Sequence, residues 1–253
     1  MAPLIIGVAV VTVTLMGKSV TAMPWPDFKE WFRDVWKPGQ HVALIGPTGM
    51  GKTTFAKGIL ESRKYVLALD PKGGDDTLKA TGYSRLVQWP LPNKIKDDIA
   101  SGKPARFIVG PEVNTDEDFE RMRAMHDRVL KDAFNMGGWT VYIDEFQIAT
   151  DRRIMGLANR TEKLLIAARS KKCSVVTAYQ APAWVPTSAS RQATWIGIWY
   201  TRDEDVIKKV AAIMGRNWRE LKEIMEELPP YHILIVGQDP RAPLVLTSAP
   251  KVS

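Results

Sequence analysis

The chain has 253 residues, 45% of them apolar and 25% charged, which is ordinary globular composition and excludes a largely disordered protein. A single core fits this length, with room for appendages. The net charge of +7 suits an acidic partner, nucleic acid or an anionic membrane surface, without choosing between them; the lone cysteine, Cys173, excludes an internal disulfide framework, and three scattered histidines offer no zinc-ligand spacing.

Residues 3–17, PLIIGVAVVTVTLMG, are strongly apolar, yet they lack the basic start of a secretory signal and fall short of the ~20 residues that a spanning helix needs. Three readings fit: a β-hairpin or edge strand on the main domain, a marginal membrane anchor, or a poorly ordered leader upstream of Met23. Residues 23–36 space Trp25, Phe28, Trp31, Phe32 and Trp36 as one helical face, with a proline start and KPGQ as a stop. Residues 42–45 read as a buried strand, a glycine-rich turn follows, and residues 53–60 read as a helix.

Further strands are expected at residues 65–70, 106–111, 139–145, 173–180 and 195–201, and a terminal pair of strands turns at Asp239 and Pro240. A helix is expected in NTDEDFERMRAMHDRVLKDAFNMGG, which opens on capping and acidic residues and closes on Gly137 and Gly138; another is expected in TEKLLIAARS. Strands alternating with helices predict an α/β fold with a mainly parallel sheet wrapped by helices. The expected divisions are residues 1–38, an apolar segment and amphipathic helix; 39–228, the core; and 229–253, a strand pair and tail.

The turn GPTGMGKTT fits G-x-x-x-x-G-K-S/T, in which small residues let backbone N–H groups wrap phosphates at a helix N-terminus. Gly46, Pro47, Thr48, Gly49, Met50, Gly51, Lys52, Thr53 and Thr54 are therefore the expected nucleotide-binding residues, with Lys52 reaching the β- and γ-phosphates and Thr53 ligating Mg²⁺. Hydrolysis needs a second acidic element on a neighbouring strand end. VYIDE supplies it, with Asp144 for Mg²⁺ and Glu145 to polarise the attacking water.

The segment AARSKKCSVVTAYQAP after YIDEFQ, together with YVLALDPKGG, resembles the FtsK/HerA superfamily of P-loop motors. The resemblance spans roughly residues 42–215 and is concentrated in four short motifs. It implies a RecA-like ATPase core, ATP and Mg²⁺ as cofactors, and a homo-oligomeric ring, usually of six, with each ATP at a subunit boundary. On that reading Gln180 senses the γ-phosphate and Arg169 completes a neighbour's site; the alternatives are a strand-end cap for Gln180 and a macrodipole contact for Arg169. Arg152 and Arg153, in QIATDRRIMG, either grip nucleic-acid phosphates or belong to a solvated face. Trp184, Trp195 and Trp199 read as core or subunit-contact anchors.

The function that the resemblance implies is an ATP-driven translocase of DNA, in all expectation duplex, most similar to small viral genome-packaging ATPases and docking on a capsid vertex. The alternative is a membrane-associated assembly or secretion motor, with a membrane partner contacted through residues 3–17. The first places the protein in the cytoplasm or the virion. A small-molecule kinase lacks an evident arginine-rich lid, and a non-hydrolysing scaffold is opposed by intact Lys52, Asp144 and Glu145.

Overall fold

The computed structural model describes residues 11–15 and 18–250, with side chains from residue 19 onward. The first elements are strands β1 (Val11–Leu15) and β2 (Lys18–Ala22), an antiparallel hairpin that pairs Val13 with Val20. The hairpin reading of the apolar leader thus applies to residues 11–15, and its second strand lies beyond residue 17; residues 1–10 fall outside the described residues. Helix α1 (Trp25–Val35) follows, started by Pro24, and buries Phe28, Trp31 and Phe32. Phe28 packs on Phe55, Trp31 and Phe32 pack on Trp195, and Trp36 packs on Phe32, at centroid distances of 5.5 to 5.7 Å, one aromatic layer under the sheet.

Strand β3 (His41–Ile45) is buried along its whole length, as an apolar run inside a sheet covered on both faces must be. Helix α2 (Lys52–Leu60), strand β4 (Tyr65–Leu69), the single-turn helix α3 (Asp76–Lys79), strand β5 (Ser84–Leu86), helix α4 (Asn93–Ala100) and strand β6 (Ala105–Val109) come next. Helix α5 (Asp116–Met136) opens on a capping box in which Thr115 and Asp118 satisfy each other's backbone N–H groups, and it ends at Gly137. Then follow β7 (Thr140–Ile143), α6 (Phe146–Thr150), α7 (Ala158–Ala167), β8 (Ser174–Tyr179), α8 (Ser188–Arg191), β9 (Ala193–Trp199), α9 (Glu204–Ile213), α10 (Trp218–Glu226), β10 (Ile233–Gly237) and β11 (Val245–Thr247).

The described strands form one eleven-stranded sheet in the order β1-β2-β11-β10-β9-β3-β8-β7-β4-β6-β5. From β9 to β5 every pairing is parallel, as the alternation of strands and helices predicts. Antiparallel pairs are confined to the other flank, where β10 returns beside β9 and β11, and β1 beside β2. The N-terminal hairpin meets the C-terminal strand pair through the parallel β2–β11 contact.

Two corrections to the sequence reading follow from this order. The strand that carries Asp144 and Glu145 is not the neighbour of β3; β8 lies between them. Helix α7 also ends at Ala167, and Arg169 belongs to a 3-10 turn (Ala168–Lys171) closed by Lys172 in the left-handed region (φ 55°).

His41 joins three elements at the start of β3. Its Nε2 donates to the Leu165 carbonyl (3.0 Å) and its Nδ1 accepts the Val175 N–H (3.0 Å), an arrangement that only the neutral ring can make. Burial holds it at about 4.

Candidate nucleotide site

The site lies where β3, β7, β8 and β9 end, the position in a parallel sheet where loops converge on a ligand. Gly46 leaves β3 under Trp199; a Cβ there would stand 2.8 Å from the Trp199 Cβ, so this position requires glycine. Gly49 and Gly51 have φ of 79° and 89°, which glycine adopts at no steric cost, and they turn the chain into α2. The Gly46 N–H donates to the Tyr179 carbonyl (3.2 Å), which pins the loop to β8.

Lys52 is buried and folds back over the loop, donating to the carbonyls of Gly46 (2.8 Å) and Pro47 (2.9 Å). Burial lowers its pKa, and Glu145 and Asp144 oppose that shift. Thr53 Oγ1 donates to Asp144 Oδ2 (3.2 Å). Asp144 is also buried and accepts from the Tyr142 hydroxyl (2.9 Å) and the Glu145 N–H (3.1 Å). Burial pushes its carboxyl up to about 6. The Tyr142 hydroxyl, buried beneath it, is raised well above its ordinary value by the same desolvation.

Glu145 stands just past β7 in the left-handed region (φ 41°, ψ 55°), a strained backbone for a non-glycine residue. Its carboxylate accepts from Lys72 Nζ (2.7 Å) and from the Gln147 amide. Gln180, just past β8, donates to Thr48 Oγ1 (3.0 Å), and so touches the loop from the strand between β3 and β7.

The loop, Lys72, Asp144 and Glu145 border one cleft of about 490 Å³, lined by residues 48–54, Lys72, Asp75, Thr77, Asp144, Glu145, Trp199, Tyr231, Ala249 and Pro250; Gln180 lies outside that lining and reaches it only through Thr48. The oxygen donors present, Thr53 and Asp144, suit a hard cation. Among the described residues no cluster of three or more His, Cys, Asp or Glu could hold a metal alone, so Mg²⁺ here needs further oxygens from phosphate and water.

The sequence reading left Lys72, Asp75, Thr77, Trp199, Tyr231, Ala249 and Pro250 outside the site. The signal for Lys72 and Asp75 was the turn-rich DPKGGDD at the end of β4, a strand end beside the acidic pair; Tyr231, Ala249 and Pro250 come from 86 or more residues downstream of the Glu145 position and carry no local signal.

The structure does not bring Arg169, Arg152 or Arg153 to the cleft. The Arg169 backbone packs on Gly39, where a glycine Cβ would meet its carbonyl at 3.0 Å, at the opposite end of β3 from the loop. Five residues of strand put it roughly 16 Å away. Arg153 is exposed and pairs with Asp151 (3.5 Å), whose carboxyl is held below its ordinary value by that arginine. Of the three tryptophans, Trp195 and Trp199 are core residues and Trp184 is 62% exposed.

No protein-family model matches the chain, and neither does any curated protein. Among solved structures, the DNA-packaging ATPase B204 from Sulfolobus turreted icosahedral virus superposes with TM-score 0.57 at 19% identity, covering 85% of this chain and 100% of that one. The genome-packaging NTPase B204 from Sulfolobus turreted icosahedral virus 2, solved with AMPPCP, gives 0.55 at 18% identity, over 85% and 100% of the two chains. The cytoplasmic domain of the Type VII secretion ATPase EccC from Thermomonospora curvata gives 0.55 at 16%, over 86% of this chain and 26% of that chain. The chain shares the fold of these ATPases.

Proposed function

We propose that the chain is an ATP-hydrolysing motor that moves duplex DNA, with viral genome packaging as its use and a homo-oligomeric ring, of six by analogy, as its working form. The observation that carries the ATPase reading is the convergence of Lys52, Thr53, Asp144 and Glu145 on one cleft from two different strand ends, with Gln180 reaching Thr48 of the same loop from a third. The DNA reading is supported by the fold shared with packaging ATPases and by the net charge of +7.

In this reading the loop N–H groups and Lys52 hold the phosphates. Lys52 exchanges two backbone carbonyls for phosphate oxygens at little desolvation cost, since it is already buried. Thr53 and Asp144 would hold Mg²⁺, which would supply neutralisation of phosphate charge. Glu145 takes the proton of a water that attacks the γ-phosphorus; the bond to the bridging oxygen breaks and ADP leaves. Gln180 would report the γ-phosphate to β8, a role supported by its contact with Thr48. Arg169 is left to a contact between copies, and Arg152 and Arg153 to phosphate contacts with DNA.

Steady-state ATP hydrolysis with and without duplex DNA, at low and moderate salt, measured beside the mass in solution, tests the proposal. Stimulation that fades as salt rises, from a ring-sized assembly, is expected. Hydrolysis indifferent to DNA overturns the DNA motor and favours an assembly motor at a membrane. No helix among the described residues is long and apolar enough to cross one, so that reading would rest on residues 1–10 and on flotation with vesicles.

A further inference from the structure

The cleft has two chemically different ends. Around the phosphate loop its walls are charged: Lys52, Lys72, Asp75, Asp144 and Glu145. On the β9–β10–β11 side of the loop they change to Trp199, Tyr231, Ala249, Pro250 and the Met50 side chain, with no ionisable side chain but the Tyr231 phenol among them. Three of these residues come from the C-terminal flank, Tyr231 from the turn before β10, and Ala249 and Pro250 from the segment after β11.

The floor of this end is rigid. Trp199 is buried, packs edge-on against Phe55 (5.7 Å, 86°) and lies against Gly46, so its position is fixed by the core. Met50 and Ala249 pack on the same apolar cluster. Tyr231 differs: it keeps 48% of its surface exposed, and its backbone sits at φ 63°, a strained conformation for a bulky residue. A large ring held in a strained turn beside a buried Trp199, half-buried Met50 and Ala249 and an exposed Pro250 is the geometry of one face of an open slot.

We infer that this end is a base-stacking wall, in which Tyr231 and Pro250 cover one side of a nucleobase over the Trp199 floor, and that it accepts nucleoside triphosphates with little discrimination between bases. This rests on the nucleotide reading above. Stacking uses the π-face that every base has, and it is tolerant of base identity for that reason. Discrimination of several orders of magnitude comes from buried side-chain hydrogen bonds to base edges, and this wall offers apolar carbon and a single phenol. The segments that flank the C-terminal strand pair then have a role in substrate binding.

Affinity is measured by calorimetry on the full chain for ATP, GTP, CTP and inorganic tripolyphosphate. The parent is expected to bind ATP and GTP within about tenfold of each other, and both at least tenfold more tightly than tripolyphosphate. Tyr231→Ala should weaken ATP and GTP alike by roughly tenfold and leave tripolyphosphate unchanged, while Tyr231→Phe keeps parental affinity for all. A preference above about a hundredfold for one base, or tripolyphosphate bound as tightly as ATP, overturns the wall; both are read on the parent and need no variant to fold. Failure of the nucleotide reading looks different: neither ATP nor tripolyphosphate binds, and Lys52→Ala changes nothing.

Discussion

Lys72 and Glu145 form an ion pair of 2.7 Å across the mouth of the cleft, joining the turn after β4 to the residue just past β7. The lysine is half exposed and the carboxylate is 12% exposed, so the pair adds at most about 1 kcal/mol to stability. Its consequence lies in chemistry. A carboxylate that already accepts from Lys72 and Gln147 has fewer lone pairs free for a water, and the Glu145 hydrogen bond keeps the Lys72 ammonium raised and charged. Lys72→Met is therefore expected to raise ATP hydrolysis in the absence of DNA by several-fold and to shrink the stimulation by DNA, with the melting temperature nearly unchanged. A loss of turnover as large as that of Glu145→Gln would show instead that Lys72 acts on the phosphates.

Glu145→Gln separates binding from turnover. Glutamine can still accept from Lys72, so the turn should hold, but it cannot take a proton from water, and a fall of roughly 10²–10⁴ in the hydrolysis rate is expected with nucleotide affinity kept. Lys52→Ala should lower both, because it removes a buried ammonium that lies on the loop itself. Single-turnover hydrolysis beside equilibrium binding reads the two effects apart, and equal turnover in Glu145→Gln and the parent would remove Glu145 from the role assigned to it.

The parts of this site that were legible in the sequence are those in which chemistry and backbone demand coincide within a few residues. Gly46, Gly51, Lys52 and Thr53 occur together because one turn needs all of them, and Asp144 and Glu145 end an apolar run that could only be a buried strand. The strand order was not legible: residues 139–145 and 173–180 look alike as apolar runs, and only packing decides that β8 inserts beside β3. Helices α9 and α10 had usable starts, Asp203 and Asn217, whose side chains accept N–H groups of the first turn, and the reading passed over them. Strand β5 has three residues, too few for any period to appear. Tyr231 and Pro250 reach the cleft through the long-range pairing of β10 and β11, which no local pattern encodes.

Two buried histidines give the fold an acid limit. His41 and His126 are both held at about 4 by burial, against an ordinary 6.5, and His126 contacts the Val109 carbonyl from inside the core (2.9 Å). Between those values the unfolded chain binds more protons than the folded one, so stability rises with pH there. The contribution is complete above about 6.5 and is lost as the pH falls toward 4, by at most about 3 kcal/mol per histidine. Urea midpoints should therefore fall on going from pH 7.5 to pH 5, and the imidazole resonances of both residues should show no titration above about pH 5. A midpoint near 6.5 for either ring would mean that it is solvated.

Gly58 sits inside α2, where replacement of glycine by alanine ordinarily gains up to about 1 kcal/mol of helix propensity. Here a Cβ would lie 2.2 Å from Trp25 Cζ2 and 3.0 Å from Cη2, inside the contact between α1 and α2. The half-buried indole is packed on Phe28 (5.7 Å) and Phe55 (5.2 Å), contacts it would have to give up to move aside. Overpacking of this kind costs about 1–3 kcal/mol and should outweigh the propensity gain, so Gly58→Ala is expected to be destabilising. Adding Trp25→Leu removes the ring that the new methyl meets, and the double variant should recover part of the loss relative to the sum of the single changes. A thermodynamic cycle by denaturant unfolding measures that coupling, and strict additivity of the two changes would place the indole away from Gly58.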